Sequence, residues 1–182
     1  MASVEPKILK KFLSPEEIIL LTNYSILKHR INLDFVEEKE KTFIGKPDTT
    51  IICDGIMEAL CVSKINIIEK ETNLKLLPTY SCWRFYTMGA DLSKHTDRNA
   101  CEVSVTCMIN SDGTKWPIFV KDKEYHLEVG DALIYPGITE YHWREEFKGD
   151  WHAQVFLHYV DQNGPYKDYA FDGRPFFGYG AK

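Results

Sequence analysis

Tyr80-Ser81-Cys82-Trp83-Arg84-Phe85-Tyr86, followed by Gly89 and then by His95-Thr96-Asp97, is the stretch that sets the class of this chain. Aromatic and apolar residues dominate the first run, as in a β-strand, and Met88-Gly89 marks a turn after it. Side chains on a strand alternate with a period of two, so a strand through His95 and Asp97 places both on one face. A histidine and a carboxylate so placed can give two ligands to a metal. A third must then come from a neighbouring strand.

The strand period continues downstream. Runs at Cys101–Ile109, Trp116–Val120, Ala132–Tyr135 and Ala153–Val160 alternate with turn signals at Ser111-Asp112-Gly113, Val129-Gly130-Asp131 and Lys148-Gly149-Asp150. Upstream the pattern is helical. Ser14-Pro15-Glu16-Glu17 is a capping box, and a helix is predicted from Pro15 to about His29, with Ile18, Leu21, Tyr24 and Leu27 on its buried side. His29 reads as a favourable terminal charge or a surface residue. The charged run Glu37 to Lys41 reads as a solvated strand edge or loop. A second helix is predicted from Ile51 or Asp54 to Glu71, burying Ile56, Leu60, Ile65 and Ile68. The expected class is α+β, mainly β: a barrel or sandwich preceded by packing helices.

Composition sets outer bounds. With 182 residues, 44% of them hydrophobic, and only 11 Gly and 8 Pro, the chain fits one globular domain. That size buries roughly 70% of the unfolded surface, so the core needs no disulfides. The 5 cysteines are odd in number and sit among apolar residues, which suits a reducing compartment. The N-terminal residues carry no long apolar run, so a soluble, cytoplasmic protein with no membrane partner is expected. A net charge of −5 argues against broad nucleic-acid contact.

Further motifs give the pattern a family likeness. Tyr86 precedes Gly89 and His95; Gly130-Asp131-Ala132-Leu133-Ile134-Tyr135 forms a strand; Tyr141-His142-Trp143-Arg144 follows after a short turn. From about Leu77 to Gly173 the chain resembles the Fe(II)/2-oxoglutarate-dependent oxygenases of the prolyl-hydroxylase type, small single-domain members in particular. The resemblance implies a double-stranded β-helix (jelly-roll) barrel with N-terminal packing helices. It implies one oxygenase domain over residues 1–182, with 1–76 mainly helical support and 77–175 the barrel core. It further implies Fe(II) held by His95, Asp97 and His142, with three open positions for 2-oxoglutarate and O2, and Tyr86 helping to hold 2-oxoglutarate.

The chain departs from the family pattern at one point. The family's basic residue for the distal carboxylate of 2-oxoglutarate falls some nine or ten positions after the distal histidine, where this chain has Trp151 and His152. Arg144, two residues after His142, is the first substitute and Arg84, two before Tyr86, the second, since a guanidinium grips a carboxylate bidentately. The implied reaction converts 2-oxoglutarate and O2 to succinate and CO2 while hydroxylating a small molecule or an amino-acid or peptidyl residue. Asp97 argues against a halogenase, whose relatives carry a small residue there.

Other residues have plainer readings beside functional ones. His126 reads as a surface residue, and His152 and His158 as partly buried polar residues on a later strand. Arg98 is expected to point away from Asp97 into a surface ion pair, and the four tryptophans read as sheet packing or as a substrate wall. The aromatic tail Asn163 to Gly180 reads as a cover over the barrel mouth or a packing strap. Two rival readings remain from sequence: a non-catalytic cupin-like metal- or ligand-binding barrel, and a metal-free interaction module.

Overall fold

A computed structural model describes residues 4–35 and 48–179. Two antiparallel sheets carry the fold. A six-stranded sheet has the order β1 (Lys7–Leu9), β8 (Ala132–Tyr135), β5 (Val103–Ser111), β10 (Trp151–Asp161), β3 (Leu76–Thr87) and β2 (Thr49–Ile52). A four-stranded sheet has the order β4 (Leu92–His95), β9 (His142–Arg144), β6 (Ile118–Val120) and β7 (Lys123–Tyr125). The sheets pack on one another, as Leu133 and Tyr135 of β8 join Ile118, Val120 and Tyr125 in one buried cluster. Among the described residues both sheets are open and no closed barrel is found.

Period-two alternation divides the large sheet into two faces. Trp83 and Phe85 of β3, Val105 and Cys107 of β5, and Val155 and Leu157 of β10 pack in the main core, together with Leu21 of helix α1 (Pro15–Phe35) and Met57, Leu60, Cys61 and Ile68 of helix α2 (Gly55–Thr72). Each such buried side chain contributes about 1.5–3 kcal/mol of apolar transfer energy. The intervening residues, Tyr86 and Arg84 on β3, Ser104 and Thr106 on β5, His152 and His158 on β10, are buried polar groups of the opposite face. A polar lining this extensive suits a site.

The helix starts follow the sequence. Ser14 N donates to Glu17 Oε2 at 2.8 Å and Glu17 N donates to Ser14 Oγ at 3.2 Å, which closes the capping box. Asp54 caps α2 by accepting from Ile56 N and Met57 N. The helix faces differ from expectation. Leu27 and Ile56 are exposed, whereas Ser25 is fully buried because its Oγ accepts the indole N–H of Trp83 at 2.9 Å. Helix α1 also continues past His29 to Phe35. His29 is no surface charge: it stacks on Phe85 at 4.2 Å and its Nδ1 lies 2.8 Å from Thr49 Oγ1.

The supporting half contributes strands as well as helices. Thr49–Ile52, where the second helix was expected to begin, is instead edge strand β2 paired with β3. Its Thr-Thr-Ile-Ile run is β-branched throughout, which favours a strand. β1 pairs with β8 in the same way at the opposite edge. The run Glu37 to Lys41 lies outside the described residues. All 5 cysteines are free thiols, Cys61, Cys101 and Cys107 buried. No helix among the described residues is long and apolar enough to cross a membrane.

Replacing Ser25 by Ala strands the buried Trp83 N–H, and the free energy of unfolding in urea is expected to fall by about 1–3 kcal/mol. Leu27→Ala, on the exposed side of the same helix, is expected to stay within about 0.5 kcal/mol of the parent.

Candidate metal centre and its cavity

His95, Asp97 and His142 converge. Their ligand atoms all lie within 4.8 Å of one another. His95 is the last residue of β4 and pairs in register with His142, the first residue of β9. The two imidazoles thus face each other across one strand pair, ring centroids 4.3 Å apart. Asp97 is not on that strand. The chain leaves β4 after His95, and Asp97 N donates to Gly137 O at 2.8 Å, which fixes the carboxylate by a turn and not by strand alternation.

Hydrogen bonds set which nitrogen each histidine presents. His95 Nδ1 lies 2.6 Å from Ser93 O and His142 Nδ1 lies 3.1 Å from Glu140 O. A carbonyl can only accept, so both Nδ1 atoms carry a proton, which leaves Nε2 as the nitrogen each ring can offer to a metal or to Asp97. Each Nε2 lies 3.5 Å from the same atom, Asp97 Oδ1. The other oxygen, Oδ2, accepts from Ser104 Oγ at 3.0 Å, and Ser104 Oγ in turn lies 3.0 Å from His158 Nδ1. Backbone carbonyls and a hydroxyl thereby orient the ligands from behind.

Charge balance reinforces the geometry. Burial opposes the charge on Asp97, yet hydrogen bonds from His142 and His95 hold its carboxyl far below the ordinary carboxylate range. The Asp97 hydrogen bond raises His95. Burial pulls His158 down to about 4, so it stays neutral and can donate from Nδ1 to Ser104. Two imidazoles and one carboxylate, brought together without a further protein ligand among the described residues, form an open N,N,O donor set of the kind that suits Fe(II) and leaves coordination positions free.

The three ligands stand in the wall of a cavity of about 350 Å³, which also touches Arg84, Tyr80, Tyr135, Phe156 and His158. Arg84 Nη2 pairs with Asp48 at a buried contact, while its Nε has no partner. Arg144 is buried beside Trp116, with its guanidinium 4.6 Å from the ring centroid and one N–H on the Trp116 carbonyl. No carboxylate among the described residues pairs with Arg144, its Nε is unpartnered, and burial pulls it down to about 10. The hydroxyls of Tyr86 and Tyr135 and Nδ1 of His152 are likewise buried and unpartnered. His152 is neutral and donates from Nε2 to Gln154 Oε1, so its Nδ1 is an acceptor; the other groups can donate, and a group rich in acceptors fits them.

Trp151 and His152, at the position of the family's basic residue, go opposite ways. Trp151 stacks on Phe85 at 5.6 Å, on the helix side of the sheet. His152 faces Trp116 and Tyr86, and burial together with the Arg144 charge lowers it to about 3. It is a neutral residue beside a cation. None of the four tryptophans lines the cavity among the described residues.

Three residues of this site escape a sequence reading. Gly137 is one: a Cβ there would lie 2.4 Å from both Asp97 Oδ2 and Ser104 Oγ. Pro136-Gly137 signals a turn, but nothing in it signals that a carboxylate lies against the glycine. Ser104 and His158 are the others, brought to Asp97 only by strand pairing. Arg98 departs from its expected placement, because Asp97 lies beyond the strand and alternation no longer applies. It pairs with Asp172, as expected of an ion pair, but its guanidinium also lies over the Tyr80 ring at 4.3 Å and borders the cavity. Asp131 of the Gly-Asp motif is structural, accepting from Lys10 Nζ, Lys11 N and Glu128 N.

Gly137→Ala is expected to push on the Asp97 carboxylate and weaken divalent-metal binding by about 10- to 100-fold, as measured by titration with Mn(II). Gly55→Ala, where a Cβ meets nothing within 4 Å, is the control and is expected to leave the affinity unchanged.

No protein-family model and no curated protein matches the sequence. Solved structures do. The non-haem alpha-ketoglutarate-dependent epimerase SnoN from nogalamycin biosynthesis superposes with a TM-score of 0.67 at 13% identity, over 97% of this chain and 86% of that one. A Pseudomonas putida prolyl-4-hydroxylase gives 0.60 at 15% identity, over 86% and 92%. The viral collagen prolyl hydroxylase from Paramecium bursaria Chlorella virus-1, solved as a 2-oxoglutarate complex, gives 0.60 at 11%, over 85% and 94%. The chain therefore has the fold of the Fe(II)/2-oxoglutarate oxygenases.

Proposed function

We propose that this protein is a non-haem Fe(II)- and 2-oxoglutarate-dependent dioxygenase that hydroxylates a small molecule or a single amino-acid or peptidyl residue. The observation that carries the reading is the convergence of His95 Nε2, His142 Nε2 and Asp97 Oδ1 on one point of the cavity wall. The fold likeness to oxygenases supports it.

Asp97 would hold the iron through Oδ1, since Oδ2 is held by Ser104. His95 and His142 would hold it through Nε2, their Nδ1 protons being committed to Ser93 and Glu140. When bound, Fe(II) with 2-oxoglutarate activates O2 for oxidation of a C–H bond. The chain's own part is to position the reactants and exclude water. Arg144 and Tyr86 are not among the residues that line the cavity, whereas Arg84 and Tyr135 are. Arg144 is nonetheless our anchor for the distal carboxylate of 2-oxoglutarate, because a buried guanidinium with no counter-ion among the described residues is costly and a bound carboxylate offsets that cost. Tyr135 contributes a hydroxyl donor from the lining, Tyr86 one beside Arg144, and Arg84, already neutralised by Asp48, its free Nε. Tyr80, Leu92 and Phe156 give the cavity apolar walls that keep water from the reacting centre. Its volume stands at the small end of ligand pockets. Once 2-oxoglutarate shares it, the space left suits a small substrate or one inserted side chain.

Anaerobic addition of Fe(II) and 2-oxoglutarate is expected to give a weak visible charge-transfer band that His142→Ala abolishes; no band in the parent protein overturns the reading. Arg144→Gln is expected to raise the KM for 2-oxoglutarate about 30-fold, equivalent to about 2 kcal/mol, with a smaller effect from Arg84→Gln. The reverse order would make Arg84 the anchor.

A further inference from the structure

Tyr80 OH lies 3.2 Å from Cys101 Sγ in a buried contact. Both residues stand near the proposed ligands, Tyr80 in the cavity lining and Cys101 beside Asp97. Tyr80 lines the cavity that holds the three ligands, and Cys101 Sγ lies within 4.8 Å of a carboxylate oxygen of Asp97 and of a ring nitrogen of His158. A thiol beside a proposed iron ligand and in contact with a phenol hydroxyl has the proximity from which radical coupling between the two side chains can start.

Neither partner is free to move apart. Cys101 closes a short 3-10 turn, Asn99–Cys101, that is fastened to β3 by Thr79 Oγ1 donating to Ala100 O at 2.7 Å and closed by Cys101 N donating to Arg98 O at 2.9 Å. The Tyr80 ring stacks on His158 at 4.5 Å and carries the Arg98 guanidinium at 4.3 Å. Burial keeps the thiol and the phenol protonated, so each retains a hydrogen atom to lose. Other routes for the thiol are poorer: Cys101 is fully buried, and all 5 cysteines are free, so no disulfide consumes it.

We propose that Tyr80 and Cys101 form a covalent thioether, made by the protein's own iron centre. The inference rests on the dioxygenase reading above. One ring C–H bond of Tyr80, ortho to the hydroxyl, and the Cys101 S–H bond break, and one C–S bond forms. The two hydrogens and two electrons released reduce one oxygen atom of O2 to water. The other oxygen atom enters 2-oxoglutarate, which leaves as succinate and CO2. The product locks the turn that follows Asp97 onto β3 and so stiffens the approach to the metal.

The test is intact mass. The full-length protein, purified without oxygen, is supplied with Fe(II), 2-oxoglutarate and O2, and succinate is measured in the same sample. The expected product is lighter by two hydrogen atoms, and trypsin releases peptide 76–84 joined to peptide 99–115. Tyr80→Phe and Cys101→Ser, each treated in parallel, are expected to show no loss of mass. Succinate formation with unchanged mass overturns the thioether and leaves the dioxygenase reading standing. A gain of one oxygen, the mark of sulfenic acid or ring hydroxylation, overturns it as well. So does a link from Tyr80 to Cys82, which keeps the two peptides separate, or a mass loss that survives in Cys101→Ser. Neither succinate nor a mass change, in protein that gives the charge-transfer band, overturns the thioether and leaves the dioxygenase reading standing; with the band absent as well, both readings fall.

Discussion

A buried carboxylate must be compensated, and the Asp97 site is built around that requirement. Transfer of an ionised carboxyl from water costs several kcal/mol unless charge and hydrogen bonds replace the lost hydration. Here the end of β4 supplies His95, the start of β9 supplies His142, β5 supplies Ser104, and the turn after β8 supplies a carbonyl and a glycine with no Cβ in the way. Elements from both sheets thus meet at one side chain. The three side chains are oriented by the protein itself, as a site with open coordination positions would require.

The same economy governs the rest of the polar face. Alternation along β3 and β10 sends Trp83, Phe85, Val155 and Leu157 to the helices and sends Arg84, Tyr86, His152 and Gln154 inward. Some of the inward groups satisfy one another, as His152 does with Gln154 at 2.7 Å and Gln154 with Thr106 at 2.6 Å. Arg144, Tyr86 and Tyr135 keep unpartnered polar atoms. The contrast within one buried layer separates groups that hold the sheet from groups with capacity to hold a guest.

Local signals made the capping box, the main strands and the triad legible in the sequence. Ser14 and Glu17 sit in one turn, and the Gly130-Asp131 turn leads directly into β8. Some short strands were not legible. β1, β2 and β7 have three or four residues each, too few for periodicity to register, and they exist because a neighbour pairs with them. The faces of α1 were misread for a related reason. Ser25 is buried by the Trp83 indole, a partner that lies far away in sequence, while Leu27 finds no neighbour and stays exposed. The convergence of His95, Asp97 and His142 was legible although one premise was not met: Asp97 lies past the strand end, and a turn brings it to the place that alternation was expected to supply.

The rim of the cavity is formed differently from its floor. Thr50 and Ile52 stand on β2, an edge strand, whereas the ligands' supports lie deep in paired structure. Ile52 is 41% exposed and its replacement disturbs little packing. Substitutions at the rim and at Asp97 share no direct contact, and their free energies should add. Selectivity for what enters can therefore be retuned by drift at an edge strand without renegotiating the chemistry below it.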